Sequence, residues 1–352
     1  MSKDQLTAWL DEHGIASYRA AQILQWIYQR QVDAFETMTD LSKENRKLLV
    51  SRFSIDRLEK IRVKRSRDGS KKYLFRLSDG NLIESVLIPE RGHLTLCISS
   101  QVGCALGCRF CFTGQGGLAR NLTSGEIIAQ VRDIQKTLDD PRHLSNIVLM
   151  GMGEPLANYA NVVKAIDTLT HNTQGLGFAN RRVTLSTAGL VDRLSNLGRD
   201  TAVSLAISLN AADNSTRNRL MPINRTYPIE RLLEACRRYP LKPHRRITFE
   251  YILLKGINDS EKDAHRLAKL LHPVRAKINL IPFNAFEDSE FRRPDESVIT
   301  RFLQILLKNN YTAIVRRSKG EDISAACGQL RAHRLGKKRT SNIEHRTFNI
   351  EC

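Results

Sequence analysis

Cys104-Ala-Leu-Gly-Cys108-Arg-Phe-Cys111 places three thiols within eight residues, spaced C-x3-C-x2-C. Thiolates are soft ligands that select zinc, Cu(I) or iron–sulfur clusters. Three ligands leave a four-iron cluster one short, so that one iron stays open to bind something else; electron-transfer clusters normally have four cysteines. A structural zinc would need a fourth closed ligand, commonly from a second cysteine pair. The chain has no second C-x2-C pair, and Cys97, the nearest extra thiol, sits seven residues upstream on an apparent strand. The spacing points to an iron–sulfur cluster with an open iron, with a zinc-stapled loop as the alternative.

Something must hold that loop. From about residue 94 the pattern alternates between strands, expected over 94–99, 146–150, 182–186, 202–208, 246–253, 277–281 and 311–316, and helices that fall between them, for example over 124–136, 159–169, 229–238, 263–271 and 296–308. Repeated strand–helix units predict an α/β fold with a parallel sheet, open or closed into a partial barrel, with ligands at the C-terminal ends of the strands. The cysteine loop follows the first of these strands, as that rule requires. Later strands run into Gly153 and Glu154, Ser186, Ser208-Leu209-Asn210 and Asn284, each adding a small polar group to the same rim. Any one of them alone reads as a turn residue or a helix cap.

Ahead of this lie two smaller units. Residues 1–57 read as helical, with Leu6, Trp9 and Leu10, then Ile23, Trp26 and Ile27, at helical spacing and Ser42 placed to cap a helix over 43–52. Residues 58–93 alternate as a strand pair around Ser78-Asp79-Gly80. The run Val63-Lys-Arg-Ser-Arg before it reads equally as a phosphate-contacting segment or as a basic edge that discourages aggregation. The expected organisation is thus a helical accessory domain (1–57), a β-hairpin extension (58–93), the strand–helix domain (94–330) and a basic tail (331–352).

At 41% hydrophobic and 26% charged, the 352 residues describe a soluble globular protein. A net charge of +18 and a pI near 9.8 imply a polyanionic partner, nucleic acid first among them. No apolar run approaches the ~20 residues that span a bilayer, and seven clustered cysteines do not fit a secreted disulfide scaffold. A reducing, cytoplasmic location is expected. Cys236 and Cys352 carry no signal of a role.

The cysteine spacing with Phe110 before the last thiol resembles the radical S-adenosylmethionine (SAM) superfamily, and Met150-Gly-Met-Gly-Glu154-Pro155 its Gly-Gly-Glu-Pro motif. More specifically, Ile83-Glu-Ser-Val-Leu-Ile-Pro-Glu, Thr95-Leu-Cys97-Ile-Ser-Ser-Gln-Val-Gly-Cys104, Arg120-Asn-Leu-Thr-Ser-Gly-Glu-Ile, Leu220-Met-Pro-Ile-Asn and Asp322-Ile-Ser-Ala-Ala-Cys327-Gly-Gln-Leu resemble the RlmN/Cfr family of RNA adenine methyltransferases, over about residues 5–330. The stretch from Trp26 to Leu41 is most similar to the RlmN, adenine-C2 branch.

The resemblance implies roles. Cys104, Cys108 and Cys111 would hold a 4Fe-4S cluster. Gly153, Glu154, Ser186, Ser208, Leu209, Asn210 and Asn284 would bind SAM, of which two are used per turnover. Cys327 would carry the methyl group as S-methylcysteine, Cys97 would resolve the protein–RNA adduct through a transient disulfide, and Glu84 would accept the ring proton. The substrate would be 23S rRNA, with tRNA as a second candidate, and a flavodoxin or ferredoxin system would supply electrons. C8 methylation within the same family, and a non-catalytic zinc-stapled RNA-binding protein, are the alternatives. Asn210 stands where this family often has histidine, and Phe112 and Leu118 also depart from its commoner residues.

The charge has a direct consequence. Phosphate contacts release counterions, so binding to an rRNA fragment should weaken steeply between low and moderate salt. A dissociation constant that stays flat over that range would count against an RNA partner.

Overall fold

Three short helices begin the chain, α1 (Lys3–Glu12), α2 (Arg19–Tyr28) and α3 (Lys43–Arg52). The structure, a computed structural model, describes residues 3–331 apart from 56, 287 and 288. Ser42 starts α3 as expected, its Oγ accepting from Asn45 N at 3.1 Å. Leu6, Leu10, Ile23, Leu24 and Leu49 turn inward on Phe35 and Met38, giving this unit a core of its own. Trp26 is half-buried against it, its indole N–H donating to Asp40 at 3.1 Å. Arg57 ties the unit to the rest by ion pairs to Asp33 (2.6 Å) and Asp133 (3.0 Å).

Four antiparallel strands follow: β1 (Glu59–Arg65), β2 (Lys71–Arg76), β3 (Leu82–Glu90) and β4 (His93–Cys97). The residues expected as a separate hairpin extension are hydrogen-bonded into the main sheet, because β3 is buried from Leu82 to Ile88 and pairs with β4. The basic run falls on β1, the exposed end strand. A two-stranded sheet of β5 (Gln101–Gly103) and β6 (Leu118–Asn121) then brackets the cysteine loop and a single turn, α4 (Phe112–Gln115).

The remainder alternates: α5 (Ser124–Gln135), β7 (Leu144–Leu149), α6 (Tyr159–Thr170), β8 (Val183–Thr187), α7 (Val191–Asp200), β9 (Ser204–Ser208), α8 (Asn214–Leu220), α9 (Ile229–Arg238), β10 (Ile247–Leu253), α10 (Glu261–Leu271), β11 (Ala276–Pro282), α11 (Glu296–Lys308) and β12 (Ala313–Val315). The ten-stranded sheet runs β1-β2-β3-β4-β7-β8-β9-β10-β11-β12 and is parallel from β4 onward. It curls into a partial barrel around a cavity lined from β4, β7, β8, β10, β11 and β12. All seven expected parallel strands are present, but the last is three residues long rather than six. Helix α7 fills the connection between β8 and β9, where the alternation expects a helix without placing its bounds, and α8 is an additional helix that the alternation does not mark. α8, Asn-Ser-Thr-Arg-Asn-Arg-Leu, lacks an apolar stripe and is started by Asp213, which accepts from Thr216 N at 2.8 Å. The expected basic tail lies outside the described residues from 332 on.

α8 carries Arg217, which is fully buried. Its guanidinium donates to the backbone oxygens of Leu209 (3.0 Å), Ala188 (2.7 Å) and Ser208 (3.3 Å) and to Asn224 Oδ1 (2.9 Å). Burial lowers its pKa to about 10. Arg217→Met should therefore destabilise the protein by about 3 kcal/mol or more, because several carbonyls lose their donor at once, and Arg217→Lys should rescue little, lacking the planar fork. Thermal unfolding of the two variants checks this, and wild-type melting of Arg217→Met would contradict it.

Candidate active site at the rim of the parallel strands

The cysteine loop is tightly packed. Gly103, at φ 81°, must be glycine, because a Cβ there would come within 2.0 Å of the Gly117 carbonyl oxygen. Cys104 N donates to that same oxygen at 2.8 Å, and Arg109 N to Leu220 O at 3.0 Å. The last turn is pinned to a distant segment: Phe112 N donates to Gly328 O at 2.7 Å, and Thr113 Oγ1 to Leu330 O at 2.5 Å. These bonds set Cys327 beside Cys111. Asn284 Nδ2 holds Cys327 O at 3.2 Å from the end of β11.

Cys104, Cys108 and Cys111 share one cavity of about 150 Å³ with Gly153, Glu154, Ser186, Ser208 and Asn210, and Cys327 reaches its wall. A larger cavity of about 710 Å³, the barrel lumen, adjoins it and takes in Cys97, Asn284, Cys111 and Cys327. Leu209 is fully buried and lines neither. Burial pushes the thiols of the loop up, that of Cys104 to about 11 and that of Cys108 well above the ordinary value, and neighbouring cysteines push further. Three such thiols become thiolates together only beside a strong positive charge, which fits an iron–sulfur cluster. Among the described residues no three His, Cys, Asp or Glu side chains gather tightly enough to hold a single ion. The three thiols of the loop line one cavity.

Glu154 sits at this rim with both oxygens engaged, Oε1 accepting from Leu156 N at 2.9 Å and Oε2 from Ala188 N at 2.8 Å. Burial raises its pKa and these bonds oppose the rise. The glycines beside it serve packing. A Cβ on Gly151 would meet the Ile98 backbone at 2.7 Å, and one on Gly153 would meet Gln101 at 2.5 Å. Asn210 takes a left-handed backbone at φ 58°, tolerated by asparagine and histidine among non-glycine residues, and its Oδ1 accepts from Ile252 N at 2.9 Å. Phe112 stacks on Phe286 with ring centroids 5.0 Å apart, while Leu118 faces solvent.

Glu84 stands apart from the other candidates. It is buried on β3, paired to Lys72 Nζ at 3.0 Å, and accepts from Arg331 N at 2.9 Å; it lines neither cavity. Lys72 also donates to Ser324 O at 2.9 Å, and Asp68 Oδ2 accepts from Gly320 N at 2.8 Å. β2, β3 and the turn between β1 and β2 therefore clamp the segment that carries Cys327. Sequence reasoning missed this clamp, since nothing local marks Lys72 or Asp68. It also missed Glu250 and Arg316, which line both cavities. A carboxylate in the middle of the mostly apolar β10 was the available signal.

Residues 98–268 match the family described as the radical SAM superfamily, and residues 1–55 the family described as the ribosomal RNA large subunit methyltransferase N-terminal domain. The chain is 58% identical over 332 residues to the dual-specificity RNA methyltransferase RlmN of Desulfosudis oleivorans, across 94% of this chain and 90% of that one. To the protein of the same name from Syntrophotalea carbinolica it is 54% identical, across 93% and 87%. A crystal structure of a radical SAM methyltransferase from Sphaerobacter thermophilus superposes with a TM-score of 0.89 at 44% identity, covering 95% of this chain and 98% of that one. Likeness to named methyltransferases over nearly the whole length sets aside the non-catalytic, zinc-stapled alternative. The protein is an enzyme, and its chain belongs to the RlmN family within the radical SAM superfamily.

Proposed function

We propose that the protein methylates C2 of an adenosine in 23S rRNA, and of an adenosine in tRNA, with Cys327 as methyl carrier and Cys97 as resolving thiol. The observation that carries this reading is the placement of Cys327 on the wall of one cavity with Cys97 and Cys111, though it lies far from both in the chain. The relatives' designation as dual-specificity RNA methyltransferases supports the two RNA classes.

Radical SAM enzymes use a 4Fe-4S cluster and SAM. In this reading Cys104, Cys108 and Cys111 hold the cluster, and Gly153, Glu154, Ser186, Ser208, Leu209, Asn210 and Asn284 bind SAM. When bound, the two supply a transferable methyl group and radical chemistry that activates a methyl carbon. C2 of adenine is an electron-poor ring carbon and a poor nucleophile, so the carbon must be delivered to it by a radical route. Cys327 keeps that carbon as a thioether at the junction of the two cavities. Once the carbon is joined to the base, Cys97 attacks the Cys327 sulfur. The S–S bond forms as the Cys327 carbon–sulfur bond breaks, its electron pair leaves on the carbon attached to the base, and that carbon takes up a proton. Two electrons then restore both thiols, and a flavodoxin or ferredoxin system is the proposed source.

Burial pushes the Cys97 thiol up to about 12, with Cys327 adding to the rise and Arg316 opposing it. Resolution therefore depends on that nearby guanidinium. Glu84 is the proposed acceptor of the ring proton. It sits on the strand next to Cys97, and the segment leading from Cys327 to Arg331 docks directly on its carboxylate. A cytoplasmic site of action agrees with rRNA as substrate; among the described residues no helix is long and apolar enough to cross a membrane.

Two experiments test this reading. Cys97→Ala enzyme made with its RNA present should carry RNA attached through Cys327, seen as a ribonuclease-sensitive shift on a denaturing gel and absent from Cys97→Ala/Cys327→Ala. Free, fully methylated RNA from Cys97→Ala would refute the resolving role, and 8-methyladenosine in the digest would move the reaction to C8. Anaerobically purified Cys108→Ala should lose most of its iron and sulfide, while Cys236→Ala should keep both. Equal iron in the two would remove the loop as the cluster's ligand.

A further inference from the structure

Glu250 is the unexplained group in the lumen. It sits in the middle of β10, is 4% exposed, and occupies a strand whose other residues are mostly apolar. Its Oε1 accepts from Asn279 Nδ2 at 3.0 Å, across the register pair that joins β10 to β11. Its Oε2 is buried and has no hydrogen-bond partner among the described residues. A buried carboxyl oxygen left in this state is costly unless something supplies a donor. Both cavities open onto it, and the larger one also holds Cys97 and Cys327.

We propose that Glu250, steadied by Asn279, reads the 6-amino group of the target adenine and so makes the site selective for that base. The inference rests on the adenine methylation proposed above. An enzyme that works on a ring carbon of a base takes the base out of its stack and reads its Watson–Crick edge in a pocket. At about 710 Å³ the lumen has room for a nucleotide. C2 and the 6-amino group flank N1 on the same edge, so a base offering C2 to Cys327 turns its amino hydrogens along the same wall. An amino N–H meets the vacant Oε2. A 6-oxo purine would instead set a lone pair against it. Burial raises the pKa of Glu250, and the guanidinium of Arg316, the bond from Asn279 and the ammonium of Lys277 oppose the rise. Arg182 and Lys277 line the lumen as well, placing cations where the phosphates of an inserted nucleotide need them. The smaller cavity has its own polar groups for a cofactor, among them Glu154, Ser186 and Ser208.

The test uses the reconstituted holoenzyme with RNA carrying adenosine, purine riboside or inosine at the target position. All three bases keep a hydrogen on C2, so only position 6 differs. Wild type should prefer adenosine by about tenfold to hundredfold in kcat/KM, the range for losing one hydrogen bond to a charged group. Glu250→Ala should bring purine riboside to within about threefold of adenosine. Glu250→Gln keeps the volume and can turn its amide to donate, so it should gain on inosine; it also serves if the alanine variant does not fold. SAM affinity, measured by equilibrium binding without RNA, should stay close to wild type in both variants. An unchanged base ratio would overturn the role of Glu250 while leaving the methylation intact. A drop in SAM affinity with an unchanged base ratio would overturn it too and assign Oε2 to the cofactor. Absence of 2-methyladenosine from wild type on adenosine RNA would overturn both this inference and the function it rests on.

Discussion

At the C-terminal edge of a parallel sheet the backbone runs out of partners, and the site is built from the way that shortage is met. Ala188, just past β8, shows both halves of the solution. Its N–H is taken by the carboxylate of Glu154 and its carbonyl by the guanidinium of Arg217. Glu154 satisfies a second amide at Leu156, and Arg217 satisfies the carbonyls that end β9. Buried polar backbone is costly when unpaired, so two buried ionic side chains hold three strand ends in one arrangement. The cysteine loop leans on this frame, through the bond from Arg109 N to Leu220 O at the end of α8.

The barrel differs from a closed one filled with branched apolar side chains. Its lumen carries Asn146 from β7, Thr184 from β8, Thr248 and Glu250 from β10, Asn279 from β11 and Arg316 from just past β12, leaving a polar space open to water and to a polar ligand. The opening follows from the sheet's limits. β12 has only three residues and pairs with β11 alone, and β4 continues outward into β3 rather than closing on β12. The segment from Gly320 to Arg331 covers the gap, held by Asp68, Lys72 and Glu84 on one side and by Phe112 and Thr113 on the other. Cys327, on this cover, lines both the lumen and the cavity beside the cysteine loop.

Much of this could be read along the chain. The parallel strands and their helices were legible because short runs rich in β-branched and apolar residues alternate with segments that carry an apolar stripe. α9 and α11 fall where periodicity places them, as does α3 behind its serine cap. α8 was illegible because its reason to be helical is Arg217, whose partners are tertiary carbonyls. The hairpin extension was legible as strands but not as part of the main sheet, since pairing between β3 and β4 depends on a register that local alternation does not specify.

The sequence by itself determined the chemistry on offer: three thiols at C-x3-C-x2-C, polar groups after successive strands, a charge suited to RNA, and, through resemblance, the family. Ligand spacing and strand-end motifs are local properties, carried by residues that are neighbours in the chain. Only the tertiary structure decided which distant groups meet. It brought Cys327 to Cys111, gave Asp68 and Lys72 their work as a clamp, drew Glu84 back from the lumen, and left Glu250 facing it with one oxygen unpaired. Such contacts join residues on different strands and depend on the curl and register of the whole sheet, which no short stretch of sequence encodes.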